Sequence, residues 1–311
     1  MRQARPAALA LALLAPLTAQ AQPLAKASRI CGAVPPGEYD TTHLPAVTNL
    51  PKDVAWMTDW AAQPKTGGWY EMQAMDACRY RLDPAFKTWH GLAAARVEAD
   101  PGDDPLNLNS NSERAEGLLS QTVGGKLMLE DKNSGKQFYA TSYFFPENWD
   151  ATQYPWSTFA PKDCQANDSS TCNSWSIVLQ FHLKSSRPWG FLYAAKNSPK
   201  TPQRYALLLG RKPQNFSDGG LIALGKWTDF VFEIGWNDNN VTVWRRDQGA
   251  KEFTKVVDAA PFTPPGEPAY LKQGLYRGSA VGGRTDVLWI GPTVRAASFE
   301  AAVGAAFGDK P

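Results

Sequence analysis

The alternation in Ser174–Leu183 constrains this chain more than any other stretch. Trp175, Ile177, Leu179, Phe181 and Leu183 fall on one side of an extended strand, and Ser176, Val178, Gln180 and His182 on the other, because side chains in a strand repeat every two residues. An apolar side of that period needs an opposing layer to bury it. The same period returns in Trp227–Trp236, where Phe230, Phe232, Ile234 and Trp236 share a face. Asn237, Asp238, Asn239 and Asn240 then read as a turn, and Val241–Arg245 as the returning hairpin strand. Phe138–Phe145, closed by Pro146, is a further strand, as are Tyr270–Arg277 and Val287–Ile290. Asp100–Ser112, rich in Pro, Gly, Asp and Asn, reads as an extended loop. Long segments of 3.6-residue period are missing, and only the Ala-rich tail Ala296–Phe307 suits a short helix. The pattern predicts an all-β sandwich or jelly-roll.

The N-terminus carries a different signal. Arg2 and Arg5 precede an apolar run, Ala7 to Ala19, and Ala19-Gln20-Ala21 fits a small-x-small cleavage site. This reads as a secretory signal peptide over residues 1–21, too short in its apolar part to span a bilayer. The expected mature chain, 22–311, is a single secreted or periplasmic domain, monomeric and without membrane contact. Removing Arg2 and Arg5 brings the formal charge from +2 to zero, which leaves no global basic field to attract nucleic acid.

Four cysteines in an exported chain read as two disulfides, and four allow three pairings. Cys31–Cys78 and Cys164–Cys172 are favoured because each closes within one region of the sequence. No C-x-x-C pair and no histidine at ligand spacing points to zinc. Asp100, Asp103 and Asp104 cluster in a loop that leaves room for a structural calcium ion, although EF-hand spacing is absent. No cofactor is required by any of these features.

Three segments carry chemistry. In Ser112-Glu113-Arg114-Ala115-Glu116, a strand puts Arg114 and Glu116 on one face. A guanidinium held beside a carboxylate can grip a second carboxylate in a fork, though an exposed ion pair would look the same in sequence. In Val178–His182, Gln180 and His182 project from the polar side of a strand whose other side is apolar, which suits a polar cleft. In Tyr270-Leu271-Lys272-Gln273-Gly274-Leu275-Tyr276-Arg277, Tyr270, Lys272, Gly274 and Tyr276 share a face, and the glycine leaves a gap for close approach of another chain. Trp149, Trp156 and Trp189 sit in loop-rich sequence and are candidates for stacking on sugars. His43 and His90 have no partner motif.

Together these segments resemble the R-x-E, Q-x-H and Y-x-K-x-G-x-Y signatures of the jelly-roll polysaccharide lyases, a group that includes heparin lyase I, the fungal glucuronan lyases and many alginate lyases. Gly225-Lys226-Trp227-Thr228-Asp229-Phe230, Trp236 and Val241-Thr242-Val243-Trp244 are similar to the heparin lyase I and glucuronan lyase branch, as is Leu275-Tyr276-Arg277. The resemblance spans Arg114 to Ile290. Ala115-Glu116-Gly117 after Arg114, and Gln273 before the glycine, depart from the alginate lyase pattern. The resemblance implies a concanavalin-like β-jelly-roll of two antiparallel sheets and an acidic polysaccharide substrate cut by β-elimination. It implies catalytic roles for Arg114, Gln180, His182 and Tyr276, and substrate contacts from Glu116, Tyr270, Lys272 and Arg277. Tyr276 is then the proton donor, and also the base in syn eliminations, with His182 as base or carboxylate neutraliser. A free tyrosine titrates near pH 10, and Lys272, Arg114 and Arg277 are expected to lower Tyr276 by stabilising its phenolate. Two other readings are a noncatalytic glycan-binding jelly-roll and a retaining glycosidase. The glycosidase needs paired carboxylates about 5 Å apart, and the chain has no E-x-D-x-x-E run.

Overall fold

The computed structural model describes residues 49–60, 67–76, 78–106, 112–122, 125–150, 174–184, 188–196, 202–208, 216–263, 265–278 and 285–309. The expected signal peptide, His43, Trp156, Cys31, Cys164 and Cys172 lie outside them, so both disulfide pairings do too.

Sixteen strands and one helix occur among the described residues. The first half contains β1 (Val54–Met57), β2 (Glu71–Gln73), β3 (Tyr80–Lys87), β4 (Ala93–Ala99), β5 (Ser112–Leu119), β6 (Lys136–Phe144), β7 (Ser174–Leu183) and β8 (Pro188–Lys196). The second half contains β9 (Arg204–Leu208), β10 (Phe216–Leu221), β11 (Trp227–Gly235), β12 (Asn240–Asp247), β13 (Thr254–Pro261), β14 (Ala269–Gly278), β15 (Asp286–Ile290), β16 (Val294–Ala296) and α1 (Phe299–Phe307). They form two antiparallel sheets. A nine-stranded sheet runs β13-β12-β11-β6-β15-β4-β3, with β16 on β6 and β1 on β16. A seven-stranded sheet runs β10-β9-β8-β7-β14-β5-β2.

The main core fills the space between the sheets, and the two-residue period explains its membership. Phe230, Phe232, Ile234 and Trp236 from β11 and its end meet Leu179, Phe181, Leu183, Leu271 and Leu275 from the smaller sheet. The expected hairpin closes with Gly235 opposite Asn240 and Thr228 opposite Asp247. Asn239 takes a positive φ of 54°, a conformation that asparagine tolerates better than most residues. On the outer face of the larger sheet, α1 covers Phe138, Ala140, Val231 and Val294. Ser298 caps this helix, its side chain accepting from the Ala301 N–H, and Gly308 ends it in the left-handed conformation.

One expectation about β7 needs correction. Val178 turns inward beside Leu179, while Ile177 packs on the outer face with Tyr193, Leu208 and Tyr276. The cause is a break in pairing. Gln273 opposes Leu179 but Tyr276 opposes Ile177, so three steps on β14 match two on β7. An irregularity of this kind reverses the facing of the residues beyond it. Among the described residues no helix is long and apolar enough to cross a membrane.

Candidate active site

The three segments meet on the outer face of the seven-stranded sheet. Strand β14 lies between β5 and β7, so the residues expected to act together come from adjacent strands. Arg114 opposes Tyr276, and Glu116 opposes Gly274. Gln180 opposes Lys272, and His182 opposes Tyr270.

Glu116 organises the centre of this face. Its carboxylate lies 2.8 Å from the Lys272 Nζ and accepts a hydrogen bond from the Gln180 amide. Lys272 also donates to Gln73 Oε1, 2.8 Å away on β2. Glu116, Gln180 and Lys272 are buried, whereas His182, Tyr270 and Tyr276 are partly exposed. Burial lowers the Lys272 pKa, against the raising pull of Glu116. The Arg114 guanidinium lies over the Tyr276 ring, 4.2 Å from its centroid, within cation–π range.

His182 is held down at about 4, first by burial and then by the positive charge of Lys272, so the ring is neutral at pH 7. Its tautomer follows from its neighbours. Nδ1 is 3.0 Å from the Leu183 carbonyl oxygen, which can only accept, so Nδ1 carries the proton. The Tyr270 hydroxyl, 3.2 Å from Nδ1, is a second acceptor for it. Nε2 is left as the basic nitrogen. Tyr270 is pushed up to about 12 by burial and by the carboxylates of Glu71 and Glu116, so it remains a neutral phenol.

Other residues are placed differently from expectation. Arg277 does not join the substrate-facing set. It is fully buried on the opposite side of β14, paired with Glu113 and Asp286. Lys272 has its ammonium engaged by Glu116 and Gln73 behind the surface, so it props the site rather than reaching outward. Gly274 does permit a close approach, but the neighbour is β5. A Cβ there would stand 2.0 Å from the Ala115 carbonyl oxygen. Trp149 is buried against Phe145 rather than available for stacking. The side chain of Trp189 lies outside the described residues.

Asp100 and Asp103 converge on Arg79, at 2.8 and 3.0 Å, so a guanidinium supplies the positive charge between them. Burial pushes Asp103 up to about 6. Among the described residues no group of three or more metal-binding side chains occurs. His90 has a partner the sequence did not show. Its Nε2 is 2.8 Å from Asp229 in β11, which also accepts from Trp89, Ser142 and Arg246. Asp229, part of the Gly225–Phe230 motif, is therefore a structural acceptor in the far sheet.

Gln73 was missed from sequence. Strand β2 has three residues, too few for a visible period.

Fold and site define a class: a two-sheet antiparallel jelly-roll, with a polar, charged patch across three neighbouring strands of one sheet. The family follows from sequence comparison. The family model described as Polysaccharide lyase matches residues 65–291, and the chain belongs to that family. A comparison with curated proteins finds no match. Among solved structures, the chain is similar to a GH131 β-glucanase catalytic domain from Podospora anserina, with a TM-score of 0.44 and 14% identity over 71% of this chain and 80% of that one. It is similar to an alginate lyase of polysaccharide lyase family 7, with a TM-score of 0.38 and 13% identity over 69% and 78%. An alginate lyase from Pseudomonas aeruginosa gives a TM-score of 0.33 and 16% identity over 64% and 82%. These likenesses are too distant to bear on chemistry.

Proposed function

We propose that this protein is a secreted lyase that cuts a uronate-containing polysaccharide by β-elimination. One observation carries the reading: a neutral His182 with a basic Nε2 shares a sheet face with Tyr276, whose ring is covered by the Arg114 guanidinium. That face offers a proton acceptor, a phenolic proton donor and a cation, the groups an elimination beside a carboxylate needs.

The C5 proton of a uronate is only weakly acidic while the neighbouring carboxylate is charged, because abstraction builds a second negative charge. Arg114 is the donor suited to neutralising that carboxylate and holding the developing enolate, while Gln180, buried with its amide on Glu116, supports the face from behind. A base takes the C5 proton, the C4–O bond breaks, a C4=C5 double bond forms and an acid protonates the departing oxygen. In syn eliminations Tyr276 serves as both base and acid. In anti eliminations the base is Nε2 of His182 and Tyr276 is the acid. No water is consumed, and the product carries an unsaturated uronate. The departures from the alginate lyase pattern at Ala115, Gly117 and Gln273 favour a glucuronan-like or heparin-like substrate over alginate. Export is supported by the N-terminal signal pattern.

The test is ultraviolet absorbance of unsaturated uronates, followed over a panel of acidic polysaccharides. A rising signal on at least one uronate polymer is expected. Binding without any such signal would transfer the reading to a noncatalytic glycan-binding protein.

A further inference from the structure

Behind the Arg114–Tyr276 rung lies a second one that faces the other way. Glu113 and Arg277 are the neighbouring residues on β5 and β14 and oppose each other at Cα. By the two-residue repeat, their side chains point into the sandwich. Arg277 Nε donates to Glu113 Oε2 at 2.8 Å, and its Nη2 lies 2.7 Å from the same oxygen. Nη1 lies 2.7 Å from Asp286 Oδ2. Asp286 opens β15 in the nine-stranded sheet, so Arg277 joins the two sheets at this rung. The second oxygen of Glu113 accepts from the Gly102 N–H at 2.8 Å, and the Arg114 N–H donates to the Asp103 carbonyl at 3.0 Å. All three charged side chains are buried.

Stability alone does not call for such a triad. Taking charges out of water is expensive, and apolar residues of similar volume would hold the sheets together as well or better. Apolar residues fix which face is buried but do not distinguish registers two residues apart, whereas fixing one register is the best-attested use of buried ionic groups. Strand β14 needs that selection. Its pairing with β7 breaks between Gln273 and Tyr276, whereas its pairing with β5 runs unbroken from Leu271 opposite Leu119 to Gly278 opposite Ser112. The place of Tyr276 is therefore set from the β5 side. A slip of two residues would keep every face and still part Arg277 from Glu113 and Arg114 from Tyr276.

We infer that Glu113 and Arg277, anchored by Asp286, are positioning residues: a buried ion triad that locks the rung on which Arg114 covers Tyr276. The kinetic part of the inference rests on the lyase reading; the geometric part does not.

The test uses Arg277→Met, Arg277→Lys and Glu113→Gln in the full chain. It reads kcat, KM, near-ultraviolet circular dichroism and the crystal structure of each variant. Arg277→Met should lower kcat roughly ten- to a hundredfold, with KM moving less than about threefold, because the loss is one of alignment. Arg277→Lys, which can still pair with Glu113, should recover part of that kcat. In the Arg277→Met structure the Arg114 guanidinium should have left the Tyr276 ring. A folded Arg277→Met with wild-type kcat, or with Arg114 still over the ring, overturns the inference. If Arg277→Met does not fold, Glu113→Gln carries the same expectation and the same overturning result, since it keeps the side-chain shape and an acceptor oxygen. If the wild type yields no unsaturated product from any acidic polysaccharide, the lyase reading fails, and the position of Arg114 over Tyr276 in the variant structures still decides the geometric claim.

Discussion

Lys272 and Glu116 form an ion pair of 2.8 Å with side chains only 2% and 1% exposed, directly beneath the face that carries His182 and Tyr276. A buried pair of this kind is costly to break from one side, because the remaining charge has no solvent to turn to. Losing one partner typically costs about 3–5 kcal/mol, while replacing both is often close to neutral. Lys272→Met should therefore destabilise the fold by an amount in that range, and the double variant Lys272→Met/Glu116→Gln by clearly less. Denaturant unfolding of the wild type, both single variants and the double variant measures this coupling. Equal losses for the single Lys272 variant and the double variant would show that the pair does not act as a unit.

Burial and the same ammonium together set a pH dependence. His182 titrates at about 4 in the folded chain, against about 6.5 for an unperturbed imidazole. The acid limb of kcat/KM, which reports the free enzyme, should fall near pH 4 on substrates for which His182 is the base. Lys272→Met removes a positive charge that lowers His182 and frees the negative charge of Glu116, which raises it. The limb should move to higher pH. Stability follows the same sign. Between about pH 4 and 6.5 the unfolded chain takes a proton on His182 that the folded chain refuses, so stability decreases as pH falls through that window. His182→Gln should flatten this part of the stability profile. A limb near 6.5 in the wild type would remove the case for a desolvated His182.

Much of this site was legible in the sequence because strand parity is a strict rule. Arg114 with Glu116, Gln180 with His182, and Tyr270 with Lys272 and Tyr276 each share a face for that reason alone, and the structure sets the three strands side by side. Parity failed where pairing is irregular. The exchange of Ile177 and Val178 between faces comes from the β7–β14 break, which no local pattern marks. Burial depth was not legible either. Lys272 and Arg277 look alike as cations near a tyrosine, yet one props the face from just behind it and the other lies in the core. The difference lies in partners distant along the chain: Gln73 for Lys272, Glu113 for Arg277.

Gly274 has a steric role that a single methyl group should expose. Its φ is +151°, and a Cβ would stand 2.0 Å from the Ala115 carbonyl oxygen and 2.8 Å from the Glu116 Cα. Both are backbone atoms, so no side chain can swing aside. Gly274→Ala should force β5 away from β14, costing more than about 3 kcal/mol, with activity lost as the Arg114–Tyr276 rung opens. Thermal unfolding checks the first effect and product formation the second. A variant as stable as the wild type would mean that the strands separate there at little cost.

Tyr276→Phe is the sharpest test of mechanism. The ring is partly exposed and lies against Ile177, Tyr193 and Leu208, with the Arg114 guanidinium on its face. The substitution keeps the ring and those contacts and removes one hydroxyl. A phenol that moves protons only in the transition state leaves substrate binding unchanged when it is lost, so the effect belongs in kcat. General acid–base groups contribute roughly 10²–10⁴-fold, and a fall of at least that size in kcat is expected with KM nearly constant. Arg114→Ala should behave differently. A carboxylate grip acts on substrate and transition state alike, so both KM and kcat should worsen, and the loss of the guanidinium also uncovers the ring. The two variants together separate chemistry from grip. Near-normal formation of unsaturated product by Tyr276→Phe would falsify the proton-transfer role and turn attention to His182 and its neighbour Tyr270 on this face.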